Sequence, residues 1–163
     1  MASEWVMYLS VVAIGVLMIA GVTLTFNSIS INTIENTVAV GLNEVVNTVA
    51  KEIKTVLELG MNADPLSRIA INRTFSLPFD FSGHRYQISF KVLPGANHWF
   101  IEASDITDVD INEISYETIV PWRNVTLTNA AGTGLPLLLS ENYQHHIDFF
   151  SAEGSESFRI YIW

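Results

Sequence analysis

The alternation of polar and apolar positions that marks a soluble fold is missing from the first part of this chain. Between Trp5 and Ile34 there is no acidic, basic or histidine side chain. Within that stretch, Trp5–Phe26 (WVMYLSVVAIGVLMIAGVTLTF) is an uncharged run of about 22 residues. As a helix it spans ~33 Å, enough for a hydrocarbon layer of ~30 Å. Trp5 and Tyr8 stand at one end, where amphipathic rings favour a membrane–water boundary. Ser3 and Glu4 precede the expected helix, as an N-cap and as a carboxylate at the positive end of the dipole. A cleaved signal peptide would be shorter, with a basic start and a small-residue cleavage motif after it. A core helix apolar on every side would need a larger protein around it. The pattern predicts a retained membrane helix.

Past Phe26 the helical rhythm continues with a different character. Ile34, Val38, Leu42, Val45, Val49, Ile53 and Val56 recur every three or four residues, one stripe on a 3.6-residue helix. Asn36, Asn43, Asn47, Lys51 and Lys54 fall on the more polar side. A single helix from Trp5 to about Leu59 is therefore expected, roughly 80 Å long. Its weak point lies near Asn27 to Ile34, where poor helix formers collect and where a kink or short break would fall. Gly60 suits a left-handed position just past the helix, and Asn62-Ala63-Asp64-Pro65 suits a turn. The stripe can pack on the domain that follows or on neighbouring copies.

From Ile69 the period changes to two. Tyr86, Ile88, Phe90 and Val92 alternate with Gln87, Ser89 and Lys91, a strand with one wet face. Trp99, Ile101 and Ala103 alternate likewise, as do Phe158, Ile160 and Ile162. Further strands are expected at Ile69–Ser76, Ile114–Val120, Val125–Thr128, Leu135–Leu139 and His145–Ser151. Turn chemistry at Ser82-Gly83, Pro94-Gly95, Gly132-Thr133-Gly134 and Glu153-Gly154 separates them. The expected class is α+β: a long N-terminal helix over residues 1–60, half membrane and half amphipathic. A head over residues 61–163 follows, an antiparallel β-sandwich or small β-barrel.

Composition sharpens this picture by exclusion. The chain has 163 residues and a formal net charge of −9, with eight Lys and Arg scattered along it. Nucleic acid, which needs clustered cations, is not expected as a partner. With no cysteine there are no disulfides and no thiolate metal sites. Asp108, Asp110 and Asn112 imitate the start of a calcium loop, but Glu113 and Ile119 occupy positions that need Gly and Glu. They read as a solvated strand face. His145 and His146 are adjacent, so on a strand they point to opposite faces, and His84 and His98 show no ligand spacing. The pair is expected at the surface or half-buried. No nucleophile elbow, phosphate loop, zinc-protease helix or dinucleotide fingerprint occurs. Neither an enzyme nor a cofactor is expected.

Orientation rests on thin signals. No Lys or Arg flanks the span closely, so the positive-inside rule is silent. The triplets Asn72-Arg73-Thr74 and Asn124-Val125-Thr126 fit N-glycosylation and favour an external head, although about two such triplets arise by chance in this composition.

The apolar run Trp5–Phe26, the stripe Ile34–Val56 and the strand opening Ser82–Phe90 together resemble archaeal type IV pilin-like proteins. These include archaellins, adhesion pilins and archaellum accessory proteins. The resemblance covers organisation more than motif. It implies an external head and either a filament cored by N-terminal helices or a structural role beside such a machine. Two departures are visible: the short basic leader of a prepilin is missing, and Glu4 corresponds only loosely to the acidic residue near a mature pilin's start.

Two functional expectations follow. One is a structural assembly protein, either a filament subunit or an accessory of pilus or archaellum machinery. Its partners would be lipid or sister helices in a homo-oligomer, with Glu4, Trp5, Tyr8, Gly15, Gly21 and Phe26 on the membrane or assembly helix. The other is a single-pass, membrane-tethered β-sandwich binding module.

Overall fold

The computed structural model describes residues 2–63, 68–92, 99–107, 115–120, 125–153 and 158–163. One helix, α1 (Ala2–Met61), runs as the single helix expected, without interruption through the weak point around Asn27. Ser3 and Glu4 lie inside its first turn rather than ahead of it. Two compact units divide the chain, Met1–Thr37 and Val38–Trp163.

The first unit is helix alone. Its most apolar 18-residue window has a mean hydropathy of 2.4, and none of that window is buried. The length and apolarity are enough to cross a membrane. Many of its residues are β-branched and favour helix weakly in water. An environment without water reverses that preference, because a helix satisfies every backbone group internally. The few hydroxyls follow the same logic. Ser10 Oγ donates to Val6 O at 2.8 Å, Thr23 Oγ1 to Ile19 O at 2.9 Å and Thr25 Oγ1 to Gly21 O at 2.9 Å. Thr33 and Thr37 bond back in the same way to Ile29 and Thr33, each at 2.8 Å. Each of these five hydroxyl hydrogens is thus satisfied within the helix.

The second unit holds the remainder of α1 and two four-stranded sheets. The strands are β1 (Ile69–Ser76), β2 (Tyr86–Val92), β3 (Trp99–Asp105), β4 (Ser115–Val120), β5 (Val125–Asn129), β6 (Leu137–Leu139), β7 (Gln144–Ser151) and β8 (Phe158–Ile162). One sheet has the order β1-β7-β8-β5 and the other β4-β3-β2-β6. Each sheet keeps two edges, so the head is a sandwich of sheets and not a closed barrel. All pairs are antiparallel except β5 with β8, which run parallel. This parallel pair departs from the antiparallel expectation. It arises because the chain leaves the first sheet after β5, contributes β6 to the second, and returns as β7.

The period-two positions meet in one core. Tyr86, Ile88, Phe90, Ile101 and Leu138 from one sheet join Phe75, Leu127, Ile147, Phe149 and Ile160 from the other. The helix stripe enters the same cluster through Val38, Leu42, Val45, Val49, Ile53 and Val56. The stripe is therefore covered by its own head. Complete burial of an aliphatic side chain contributes roughly 1.5–3 kcal/mol, so this seam holds the amphipathic helix to the sandwich.

Two glycines let the helix approach closely. A Cβ on Gly41 would strike the Phe81 ring, and one on Gly60 would strike the Phe149 ring. Gly60 lies within α1 and outside the left-handed region, so its expected role as a helix terminator is replaced by one in packing. A two-residue hairpin precedes β2. Phe81 and His84 exchange backbone hydrogen bonds at 3.0 Å around Ser82 (φ 55°) and Gly83 (φ 84°). Both central residues at positive φ make a turn of the type favoured by right-twisted hairpins. Asp80 Oδ1 accepts from Gly83 N at 3.1 Å and steadies it.

Candidate functional site

Three places on the described residues hold chemistry beyond core packing. The first is the apolar helix. Trp5, Tyr8 and Phe26 are about two-thirds exposed, at 68%, 64% and 69%. Gly15 and Gly21 have nothing within 4 Å of where a Cβ would stand. Glu4 occupies the first turn, where a carboxylate complements the helix dipole. This surface is complete as a helix and presents only apolar groups and ring edges to whatever surrounds it.

The second place is the histidines. His84 Nδ1 lies 2.7 Å from Asp105 Oδ2, both half-buried or deeper. Asp105 Oδ1 also accepts from Thr107 N at 2.8 Å. The Thr107 hydroxyl accepts from Arg85 N and donates to Arg85 O at 3.4 Å. The group pins the hairpin to the end of β3. His145 and His146 do point to opposite faces, but His145 is fully buried, deeper than expected. Neither of its ring nitrogens has a hydrogen-bond partner among the described residues, and its ring lies 5.5 Å from that of Phe75. Burial lowers its pKa. The backbone of Asn142 opposes the shift without reaching hydrogen-bond geometry, and the neighbouring His146 adds to it. His145 is therefore a neutral core residue. Burial likewise raises the Tyr86 phenol, whose OH donates to Pro78 O at 2.5 Å. No cluster of three or more His, Asp or Glu able to hold a metal occurs among the described residues. The calcium-like residues Asp108, Asp110 and Asn112, together with His98 and Asn124, lie outside the described residues.

The third place is the outer face of the β1-β7-β8-β5 sheet, assembled by register. One row across the strands reads Ala70, Phe150, Arg159, Thr126; the next reads Asn72, Asp148, Tyr161, Thr128. Beyond them Thr74 and His146 pair, and His146 stacks on Trp163 at 5.6 Å between centroids. Asn72 Nδ2 donates to Asp148 Oδ1 at 2.5 Å, and the Arg68 guanidinium sits 4.9 Å over the Phe150 ring. Two open grooves run along this face. One, of about 400 Å³, lies over β1, β7 and β8; the other, of about 470 Å³, lies between β8 and the turn after β5. Arg159 and Tyr161 line both.

Of the residues singled out from sequence, Asn72, exposed on β1, and His146, on β7, fall on this face. Phe150, Asp148, Arg159 and Tyr161 were not singled out. Their signal was the presence of aromatic side chains at the wet positions of β7 and β8, where the alternation called for polar ones. Compared with protein-family models, curated proteins and solved structures, the chain matches none of them.

Proposed function

We propose that this chain is a non-enzymatic structural protein of the cell envelope. In this reading it is a pilin-like filament subunit, or an accessory of a pilus or archaellum, held by its N-terminal helix with the head outside the cell. The observation that carries the reading is the contrast along α1. Its first part is apolar on all sides with none of its hydropathy window buried, while the stripe that follows is covered by the head's own core. None of the first part's most apolar window is buried, and lipid or sister helices are the environments in which it is stable. The exposed Asn72 triplet supports an external head.

A second reading, a membrane-tethered binding module, is favoured by the grooved outer face of the β1-β7-β8-β5 sheet. Electron microscopy of the native surface and of detergent-solubilised protein separates the two. Filaments with helical symmetry containing this chain support assembly. Monodisperse particles from a membrane fraction, with no filament in its source, would leave only the tether. Recovery of the full chain in the soluble fraction without detergent, as a monomer, would remove both.

A further inference from the structure

The first unit's helix and the second unit's core leave one surface unexplained, the outer face of β1-β7-β8-β5. We propose that this face is a glycan-binding site, taking a neutral oligosaccharide across the Arg159–Tyr161 ridge. The inference goes beyond the anchoring role and would serve a filament subunit or a tethered module alike.

Four observations converge on this ligand. First, Tyr161 stands between the two grooves, so an aromatic ring borders concave space on this sheet, while the Phe150 ring on β7 carries the Arg68 guanidinium. The apolar C–H faces of a pyranose ring stack on such surfaces, as does any ligand with one flat apolar side. Second, the polar groups beside the rings are of the kinds that read vicinal hydroxyls. Asp148, which takes one bond from Asn72, is a pure acceptor with further lone pairs, and Arg159 offers a planar fork of donors. Third, the Arg159 guanidinium and the Tyr161 hydroxyl have no hydrogen-bond or ion-pair partner among the described residues. Both stand ready to bond a ligand.

The fourth observation is charge. Asp148 and Arg159 are diagonal neighbours across β7 and β8, so the grooves hold both signs side by side. A polyanion would meet Asp148 and a protein of net charge −9; a cation would meet Arg159 and Arg68. A neutral ligand rich in hydroxyls satisfies both groups at once. The grooves are open along the strands, which suits a chain of sugars more than a single enclosed one.

The test uses the full-length protein, produced in a host that adds no N-glycan and kept in a polyoxyethylene detergent, since a sugar headgroup would compete. Cellotetraose, chitotetraose and mannotetraose are titrated by calorimetry, with a single-stranded oligothymidylate as the polyanionic probe. The expected result is binding of at least one tetrasaccharide, insensitive to salt. Tyr161→Ala and Arg159→Gln should each weaken it at least about tenfold with the melting temperature kept. Gln87→Ala, on the other sheet, should change nothing. Should Tyr161→Ala compromise folding, Arg159→Gln, an exposed substitution, still decides. Binding of none of the three sugars, binding unaffected by Arg159→Gln, or binding of the oligonucleotide alone would each overturn the proposal.

Discussion

The ring of Phe149 on β7 lies against the backbone of Gly60 on α1, in the space a Cβ would occupy. Phe149 is 1% exposed and is stacked on Phe158 at 5.4 Å, so it cannot swing aside. Gly60→Ala would gain about 1 kcal/mol of helix propensity but force an overpacked core, at about 1–3 kcal/mol. A net loss of stability is expected in urea unfolding of the head. Gly41→Ala meets Phe81, which is only partly buried and can rotate outward. It should cost less than Gly60→Ala, and the reverse order would show that the seam is anchored elsewhere.

His145 should make the head acid-sensitive. Its pKa in the fold lies below the ordinary 6.5, so the unfolded chain binds the proton more readily. Stability is then complete above about pH 6.5 and falls as the pH drops below that value, until the folded-state pKa is reached. Urea midpoints at pH 7.5 and pH 5 should differ for the native sequence. In His145→Leu that component of the difference should vanish.

The Ser82-Gly83 turn is open to improvement. Ser82 holds φ 55°, a conformation asparagine tolerates better. Ser82→Asn should raise stability by about 0.5 kcal/mol, and Gly83→Ala should lower it by about 1 kcal/mol, both from backbone strain. Thermal melts of the two variants against the parent check the signs.

Arg73 on β1 approaches Glu52 on α1 with Nε 2.5 Å from Oε2, as an ion pair rather than an aligned hydrogen bond. Its Nη2 donates to Oε1 at 3.4 Å. Glu52 is the more buried partner, at 17% side-chain exposure against 40%. A double-mutant cycle with Glu52→Gln and Arg73→Gln should return a coupling of about 1 kcal/mol, discounted for the exposed arginine. A coupling near zero would assign the seam to apolar packing alone.

Gly15→Leu and Gly21→Leu meet open space, so both should leave the head's unfolding unchanged. If sister helices pack there, the same substitutions should reduce assembly seen by microscopy. Unchanged assembly in the double variant would assign this surface to lipid.

Much of the fold was legible because each of its signals is local. The charge-free run, the three- and four-residue stripe and the alternation in β2, β3 and β8 depend on neighbours in sequence. The helix continues through Asn27–Ile34, its weak point by propensity. Gly60 and Gly41 were misjudged or missed because their partners, Phe149 and Phe81, are distant in the chain. The parallel β5–β8 pair was hidden for the same reason: pairing of strands so separated leaves no periodicity. The outer-face rows were invisible until register set Asp148 beside Asn72 and Tyr161. His145 was underestimated because adjacency predicts opposite faces but not how deep either lies.

The parallel pair bears on how the protein is made. β8 is the latest strand to leave the ribosome, yet it sits between β7 and β5 as an interior member of its sheet. Until Phe158–Ile162 is synthesised, β5 has no neighbour in that sheet and the apolar row Val38–Leu57 has an incomplete cover. A nascent chain therefore carries unsheltered greasy surface from the making of Leu57 until β8 has followed. Interruption before β8 would release a product with two open strand edges, prone to joining others of its kind.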